Sequence, residues 1–380
     1  MNTTSYDVIV LGLGAMGSAT LYQLAKRGVR VLGIEQFGLA HDQGSAHGIA
    51  RIFRKAYFEH PGYVPLLQRA HTLWHELEAE SGKDLLVECG MVIAGPPGTD
   101  VMRGLDQCYH DHPLPHDRLT PAEARSRFPE FAFHEAWDTF FDPEAGYLLV
   151  ESCVEHHVKL AQGLGADVAL HEPVLGWQSD ANGITVRTTK QTYQAAKLIV
   201  AAGAWAVPAV AELGVPLQIL RKVQLWYTGA GQERYARPGF PCYAFVMPYG
   251  FIYGFPARNE EGVKLAEHSG GTPTPEPDQL DRSLHAGDEE PIRRFMGEVM
   301  PEFEPHLRHF SVCMYTMTPD AHFILDTHPE FGNVVLGAGF SGHGFKFASV
   351  VGEVLADLAE KGCTQHEIGF LRLERFAKRA

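Results

Sequence analysis

The chain has 380 residues, 45% of them hydrophobic and 21% charged, with 46 acidic against 32 basic side chains and a formal charge of −14. This length gives one large domain or two ordinary ones, and the composition excludes disorder, a collagen-like repeat and a disulfide-stapled miniprotein. A surface this acidic repels phosphate backbones and argues against nucleic acid as a partner, although a local positive field can still hold a small anionic substrate.

The first predicted element is a buried parallel strand over residues 6–11, followed by Gly12-Leu-Gly14-Ala-Met-Gly17. Helical apolar spacing then runs from 18 to 27, Gly28 stops it, and a second strand over 29–34 ends at Glu35, completing a βαβ unit. Residues 62–80 read as a long amphipathic helix with Leu66, Leu67, Ala70, Leu73, Trp74 and Leu77 on one face. Strands are expected over 85–93, a helix over 119–128 opened by Thr120-Pro121-Ala-Glu, and another helix over 151–164. Asn182-Gly183, flanked by alternating residues, marks a hairpin turn. A buried strand follows at 197–203, and aromatic and β-branched residues over 223–265 read as an antiparallel sheet. Residues 270–278 are turn-rich. Near the end come a strand at 334–336, a glycine-rich loop at 337–344 and a helix at 345–361. Doubly wound signals thus lie at both ends and near residue 200, with sheet-like material between them. This order predicts two interleaved domains, one of them a nucleotide domain assembled from separated segments.

The six cysteines (Cys89, Cys108, Cys153, Cys242, Cys313 and Cys363) contain no CxxC pair. They form neither a disulfide framework nor a zinc pattern, and they suit a reducing cytoplasm. No basic residue precedes Lys26, so the first apolar run does not read as a signal peptide. The longest apolar run, 198–211, is too short to span a bilayer and is broken by Gly203 and Pro208. The expectation is a soluble cytoplasmic protein with no membrane partner.

Four motifs carry chemistry. Gly12, Gly14 and Gly17 between a strand and a helix let the backbone approach a pyrophosphate at the helix N-terminus, and Glu35 stands where a carboxylate accepts a ribose hydroxyl. This combination points to a dinucleotide but does not separate FAD from NAD. Gly44-Ser-Ala-His47-Gly-Ile-Ala-Arg51-Ile-Phe-Arg54 places two arginines three apart. Cys313-Met-Tyr315-Thr-Met-Thr-Pro-Asp by itself reads as core. In Gly339-Phe-Ser-Gly342-His-Gly344-Phe-Lys346-Phe, a glycine-rich loop opens a predicted helix, and a lysine in a first helical turn opposes the helix dipole unless it meets an anion. His110, His112 and His116 have a metal-like spacing in a Pro-rich, exposed stretch, and His71 with His75 reads as the wet face of a helix. No residue is assigned to a metal.

Together and in this order, these motifs resemble the FAD-dependent amine oxidases of the monomeric sarcosine oxidase and N-methyl-tryptophan oxidase family, over nearly the whole chain. The specific parts are the Gly-Ser-x-His-Gly-x-x-Arg-x-x-Arg run, Tyr-Gly-Phe-Pro at 253–256, and the segments 313–320 and 339–347. The resemblance implies a mixed α/β fold: a Rossmann-like FAD domain of the glutathione-reductase and D-amino-acid-oxidase type, and an antiparallel-sheet substrate domain. The FAD domain is expected over 1–86, 148–218 and 314–380, and the substrate domain over 87–147 and 219–313. It implies FAD covalently attached at Cys313 by a thioether, with Arg51 beside the flavin ring, His47 near it and Val174 giving a backbone contact to adenine. Gly342 and Gly344 fall in the loop that meets the flavin. Lys264 falls where the family has the lysine that assists oxygen, Arg54 and Lys346 where it binds the substrate carboxylate, and Tyr253, His268 and Tyr315 where it lines the amine pocket. The implied activity is oxidative demethylation of a small secondary amino acid by O2, giving the primary amino acid, formaldehyde and hydrogen peroxide, in a monomer. The alternatives are oxidation of N-methyl-tryptophan or another bulky secondary amine, an NAD-linked dehydrogenase, and a non-catalytic partner protein. Ala46 and Ala50 depart from the family pattern, where a second histidine and a threonine are usual; each removes a polar side chain near the cofactor.

Overall fold

The apolar run before the first glycine triplet forms the centre of a sheet. The computed structural model describes residues 5–377. The strand Ser5–Leu11 leads into a helix over Ala15–Lys26 and returns as the strand Val31–Ile34, paired in parallel from Val8–Val31 to Leu11–Ile34. A crossover helix is what a parallel pair requires. Residues 16–25 of that helix are all buried, because it lies against the helices Val150–Gly163 and Ala348–Lys361. The last contact is close: a Cβ on Gly352 would lie 2.6 Å from the Ala19 backbone.

Strand Ser5–Leu11 also pairs in parallel with Thr192–Val200. The far edge of Thr192–Val200 is shared: residues 192–195 take the hairpin strand Gly183–Thr188, and residues 198–200 take Val334–Ala338 in parallel. The hairpin is present but is closed by the Asp180–Gly183 pair, so its two turn residues are Ala181 and Asn182, one position earlier than expected. On the other side, Val31–Ile34 pairs with Asp167–Ala169. This eight-stranded sheet therefore draws on three separated stretches of chain.

A nine-stranded second sheet is built on a long antiparallel ribbon, Gln218–Ala230 with Glu304–Met317, in register from Gln218–Met317 to Ala230–Glu304. It continues through Val263–Glu267, Gly250–Gly254 and Cys242–Met247. There the antiparallel expectation meets an exception: Cys242–Met247 pairs in parallel with Met91–Gly95, a strand about 150 residues earlier in the chain. Helix Ala286–Val299 packs Ile292, Phe295, Met296 and Val299 onto this sheet, in a core shared with Tyr227 and Phe245. A small third sheet joins Ala50–Phe53, Gly146–Leu149 and Leu86–Val87.

Two further differences from the sequence reading matter. The predicted helix over 345–361 is a 3-10 turn, Phe345–Phe347, followed by an α-helix over Ala348–Lys361, so Lys346 precedes the α-helix. Helix Asp100–Asp111 was not anticipated. Among the described residues no helix is long and apolar enough to cross a membrane, and all six cysteines are unpaired.

Candidate active site

One cavity of about 970 Å³ brings most of the predicted residues together. Its wall includes Gly12, Gly14, Glu35 and Val174, and also Arg51, Arg54, Tyr253, His268, Tyr315, Gly342, Gly344 and Lys346. Gly17, His47, Lys264 and Cys313 are absent from that lining.

The dinucleotide side is made largely of backbone. Gly12 has φ +85°, and a Cβ there would lie 2.7 Å from the Ala201 carbonyl oxygen. Gly14 caps the helix Ala15–Lys26, whose first-turn amides have no intrahelical acceptor. Gly17 lets the turn close: its Cβ would fall 1.7 Å from the Gly12 oxygen. Glu35 accepts hydrogen bonds from the Leu13 amide at 2.9 Å and the Phe37 amide at 3.0 Å. Burial alone would raise its carboxyl, but His41 and these two amides hold it below the ordinary range. A carboxylate has about four acceptor sites, so capacity remains for a hydroxyl donor.

The short strand Ala50–Phe53 carries Arg51. The Arg51 guanidinium donates to the Ala50 and Ser45 carbonyls and to Gln224 Oε1, each at 2.9 Å. Just before this strand the backbone takes two left-handed residues, Gly48 at φ +88° and Ile49 at φ +71°. Glu151 holds that bend by accepting from the Gly48 amide at 2.6 Å and the Ile49 amide at 3.1 Å. The bend aims carbonyls at Lys264, whose Nζ donates to Gly48 O at 2.6 Å and Ala50 O at 2.8 Å. Nζ also sits over the Phe255 and Trp226 rings, at 4.8 and 5.1 Å. Burial first, and then Arg51, push it well below the usual lysine range.

Arg54 is buried, with its guanidinium on the Tyr57 and Phe58 rings at 4.2 and 4.4 Å, and it donates to both Glu59 oxygens at 2.9 and 3.0 Å. Lys346 Nζ donates to the His343 carbonyl at 2.9 Å. Burial, followed by repulsion from Arg54, lowers this lysine to about 7. The anion inferred from a dipole clash is thus not required by the fold; desolvation beside a second cation makes the same demand. His343 is fixed in one tautomer, since its Nε2 can only donate to the Ala321 carbonyl at 2.9 Å and its Nδ1 accepts from Tyr57 at 2.6 Å. His268 Nδ1 lies 3.4 Å from the Tyr315 hydroxyl, and burial brings its imidazole down to about 3, so the ring is neutral near pH 7.

Cys313 is buried in the strand Glu304–Met317, opposite Lys222. Its neighbours Met314 and Tyr315 line the cavity. Gly342 lies under Tyr315, where a Cβ would come within 2.2 Å of the ring, and Gly344 is packed on Phe340. His47 Nδ1 lies 3.1 Å from Ser311 Oγ. His47 Nε2 and Gln224 Nε2 are buried polar atoms without a protein partner, and both residues lie close to Arg51. Orphaned polar atoms of this kind call for a further polar group beside them. Together with the glycine cradle and the size of the cavity, they fit a dinucleotide carrying a polar ring.

Glu59, Gln224 and Glu151 were not singled out in the sequence. Glu59 had a signal, five residues from Arg54, whereas Gln224 and Glu151 become partners only through the fold.

Residues 7–358 match the profile of the DAO family, FAD dependent oxidoreductases. The chain belongs to this family of FAD-dependent oxidoreductases. Membership decides what the glycine motif leaves open, FAD rather than NAD. The chain is 38% identical over 381 residues to a monomeric sarcosine oxidase of Bacillus sp. (strain NS-129), covering 99% of this chain and 98% of the relative. It is 35% identical over 382 residues to an N-methyl-L-tryptophan oxidase of Yersinia pestis (strain Pestoides F), covering 98% and 99%. Among solved structures of the family fold it is similar to NikD, described as an unusual amino acid oxidase essential for nikkomycin biosynthesis, with a TM-score of 0.85, 25% identity and 97% of each chain covered. The fold is also that of glycine oxidase from Geobacillus kaustophilus, at TM-score 0.80 and 22% identity, covering 98% of this chain and 99% of that one.

Proposed function

We propose that this FAD oxidoreductase is an oxidase of small secondary amino acids of the N-methylglycine type, working as a monomer in the cytoplasm with O2 as acceptor. The observation that carries the reading is the pairing of buried Arg54 and Lys346 with a neutral His268 in the cavity that also holds the glycine cradle. The near-full-length likeness to sarcosine oxidases supports it. The segments 1–86, 148–218 and 314–380 are proposed as the FAD-binding domain, and 87–147 with 219–313 as the substrate domain.

FAD, when bound, supplies the electron-pair acceptor for an amine C–H bond and hands the pair on to O2. Gly12, Gly14, Gly17 and the helix amides behind them would hold its pyrophosphate, Glu35 its ribose, and Val174 its adenine. Arg51, Gln224, His47, Gly342 and Gly344 would surround the ring system, and Cys313 Sγ is the proposed point of covalent attachment. Arg54 Nη2 donates to both Glu59 oxygens in this structure while Nη1 donates to the Ala56 carbonyl. In the proposed role Nη2 takes the substrate carboxylate instead, and Lys346 adds the second cation. The amine must be neutral to release its electron pair. Neighbouring cations and burial favour that form, and the uncharged His268 can accept a hydrogen bond from it. Tyr253 and Tyr315 close the amine pocket and exclude water. Lys264 Nζ, donating to the Gly48 and Ala50 carbonyls, is the proposed group that faces oxygen as it gains electrons, with Arg51 as the neighbouring fixed cation.

An oxygen-electrode assay across N-methylglycine, N-methyl-L-tryptophan and glycine tests the substrate class. Fastest turnover on N-methylglycine, with peroxide formed, is expected; preference for N-methyl-L-tryptophan selects the bulky-amine reading, and no turnover on any secondary amine ends both. Acid precipitation followed by peptide mapping tests the attachment: yellow colour should stay with the peptide carrying Cys313.

A further inference from the structure

The helix Tyr63–Ser81 carries His71 and His75 one turn apart on the same face, and neither residue lines the cavity. Facing them is Glu88, just beyond the short strand Leu86–Val87. His71 Nε2 lies 2.8 Å from Glu88 Oε1, His75 Nε2 lies 3.6 Å from Glu88 Oε2, and the two Nε2 atoms are 3.2 Å apart. Ligands held about 2.0–2.1 Å from a tetrahedral ion stand roughly 3.3 Å from one another. The three donors already have that spacing.

The surroundings prepare them for an ion. His75 Nδ1 lies 2.8 Å from Glu78 Oε2, so the ring proton sits on Nδ1 and the Nε2 lone pair points into the cluster. Glu78 is itself anchored, its other oxygen accepting from the Leu85 and Leu86 amides at 2.7 and 2.8 Å. A carboxylate behind a ligating imidazole fixes its tautomer and raises its basicity. Among the described residues, His71, His75 and Glu88 form the one group of three His, Cys, Asp or Glu donors lying within 4.8 Å of each other. The set His110, His112 and His116, with its metal-like spacing in the sequence, does not converge.

We propose that His71, His75 and Glu88 form a zinc-binding site whose fourth position is filled by water. Two imidazoles and one carboxylate suit Zn²⁺ and disfavour the all-oxygen preference of Mg²⁺ and Ca²⁺. The side chains are 23%, 43% and 36% exposed, so the ion exchanges with solvent. The site is a brace, not a second catalytic centre. It ties the helix to the segment after Leu86–Val87, in the small sheet that holds Ala50–Phe53. The His71 ring also contacts the Phe53 ring, with centroids 5.6 Å apart, so the ion stiffens the arginine-bearing strand from behind.

The test uses tag-free, FAD-loaded protein stripped with a chelator and titrated with ZnCl2 by calorimetry. One saturable equivalent is expected. His71→Ala, His75→Ala and Glu88→Gln should each weaken it by about tenfold or more, and Glu78→Gln by less. Co²⁺ in place of Zn²⁺ should give the visible band of a four-coordinate ion, lost in the same variants, and excess Mg²⁺ should not compete. Crystals soaked in ZnCl2 supply a readout that needs no variant: an anomalous peak between the three side chains. Absence of a saturable equivalent, an affinity unchanged in the His71→Ala/His75→Ala double variant, or an anomalous peak elsewhere only, would overturn the proposal.

Discussion

The two halves of the cavity are built by opposite means. The dinucleotide half is backbone: three glycines, a helix start and one carboxylate tied down by amides, all within residues 12–37. The amine half is side chains drawn from residues 51–59, 253–268, 314–315 and 343–346, with Arg54 buried against aromatic rings. At Gly12 and Gly17 the first half has no room for an added atom, because the backbone there already closes on itself and on Ala201. The second depends above all on charge, because its function is a field in a desolvated space. Substitutions on the first side should therefore remove the cofactor, and those on the second should spare it and alter a rate or an affinity.

The largest effect should come from Gly17→Ala. With a Cβ 1.7 Å from the Gly12 oxygen, the turn cannot close, and the purified variant should carry almost no flavin by its visible-to-ultraviolet absorbance ratio. Full flavin content would break the contrast between the halves. Next is Lys264→Met, which should slow the oxygen half-reaction by about 10²–10³-fold in stopped flow while changing the anaerobic amine half-reaction only a few-fold. Equal losses in both would show that the lysine merely supports the fold. Arg54→Ala should retain flavin and weaken a non-reacting carboxylate by roughly 10–100-fold, the scale of a charged hydrogen bond of about 1.5–3 kcal/mol. Unchanged affinity would mean that Arg54 serves only Glu59.

The smallest effect sharpens the comparison through pH. Burial lowers Lys346 to about 7, so it is charged below that pH and loses its proton above it, while His268 and His343, lowered to about 3, stay neutral throughout. Affinity for the same carboxylate should be highest near pH 6 and fall by about tenfold at pH 8. Bound anion draws the lysine back up, so binding should take up protons in that interval. Lys346→Met should flatten the profile; a profile unchanged in that variant assigns the titration to another group.

The dinucleotide half was the more legible in the sequence, since strand, glycines, helix and Glu35 are neighbours in the chain and each follows from a local rule. The positions of Arg51, Arg54, Lys264 and Lys346 came from resemblance; no local pattern brings them together. Gln224 could not be read at all, because its bond to Arg51 spans 173 residues and depends on the pairing of distant strands. Glu151 looks like an ordinary first-turn helix acid until the Gly48-Ile49 bend reaches it. Helix Asp100–Asp111 did carry a signal, with Met102, Leu105, Cys108 and Tyr109 on one face. In helix Ala286–Val299, Pro291 masked the periodicity of Ile292, Phe295, Met296 and Val299. The parallel join at Cys242–Met247 is set by packing between distant segments, for which 223–265 alone has no cue.

The pairing of Gln218–Ala230 with Glu304–Met317 has a consequence for how this protein can change. Side chains alternate across a strand, so Cys313 and Tyr315 share a face and Met314 takes the other, with an irregularity in the register at Trp226/Tyr227. Loss of one residue between that irregularity and Cys313 would turn the thiol to the opposite face, where Val312 and Met314 pack with Ile219 and Leu280, and present a neighbouring apolar side chain in its place. The sulfur is thus addressed by parity, and insertions or deletions in this stretch should survive only in even steps or where the bulge absorbs the odd one.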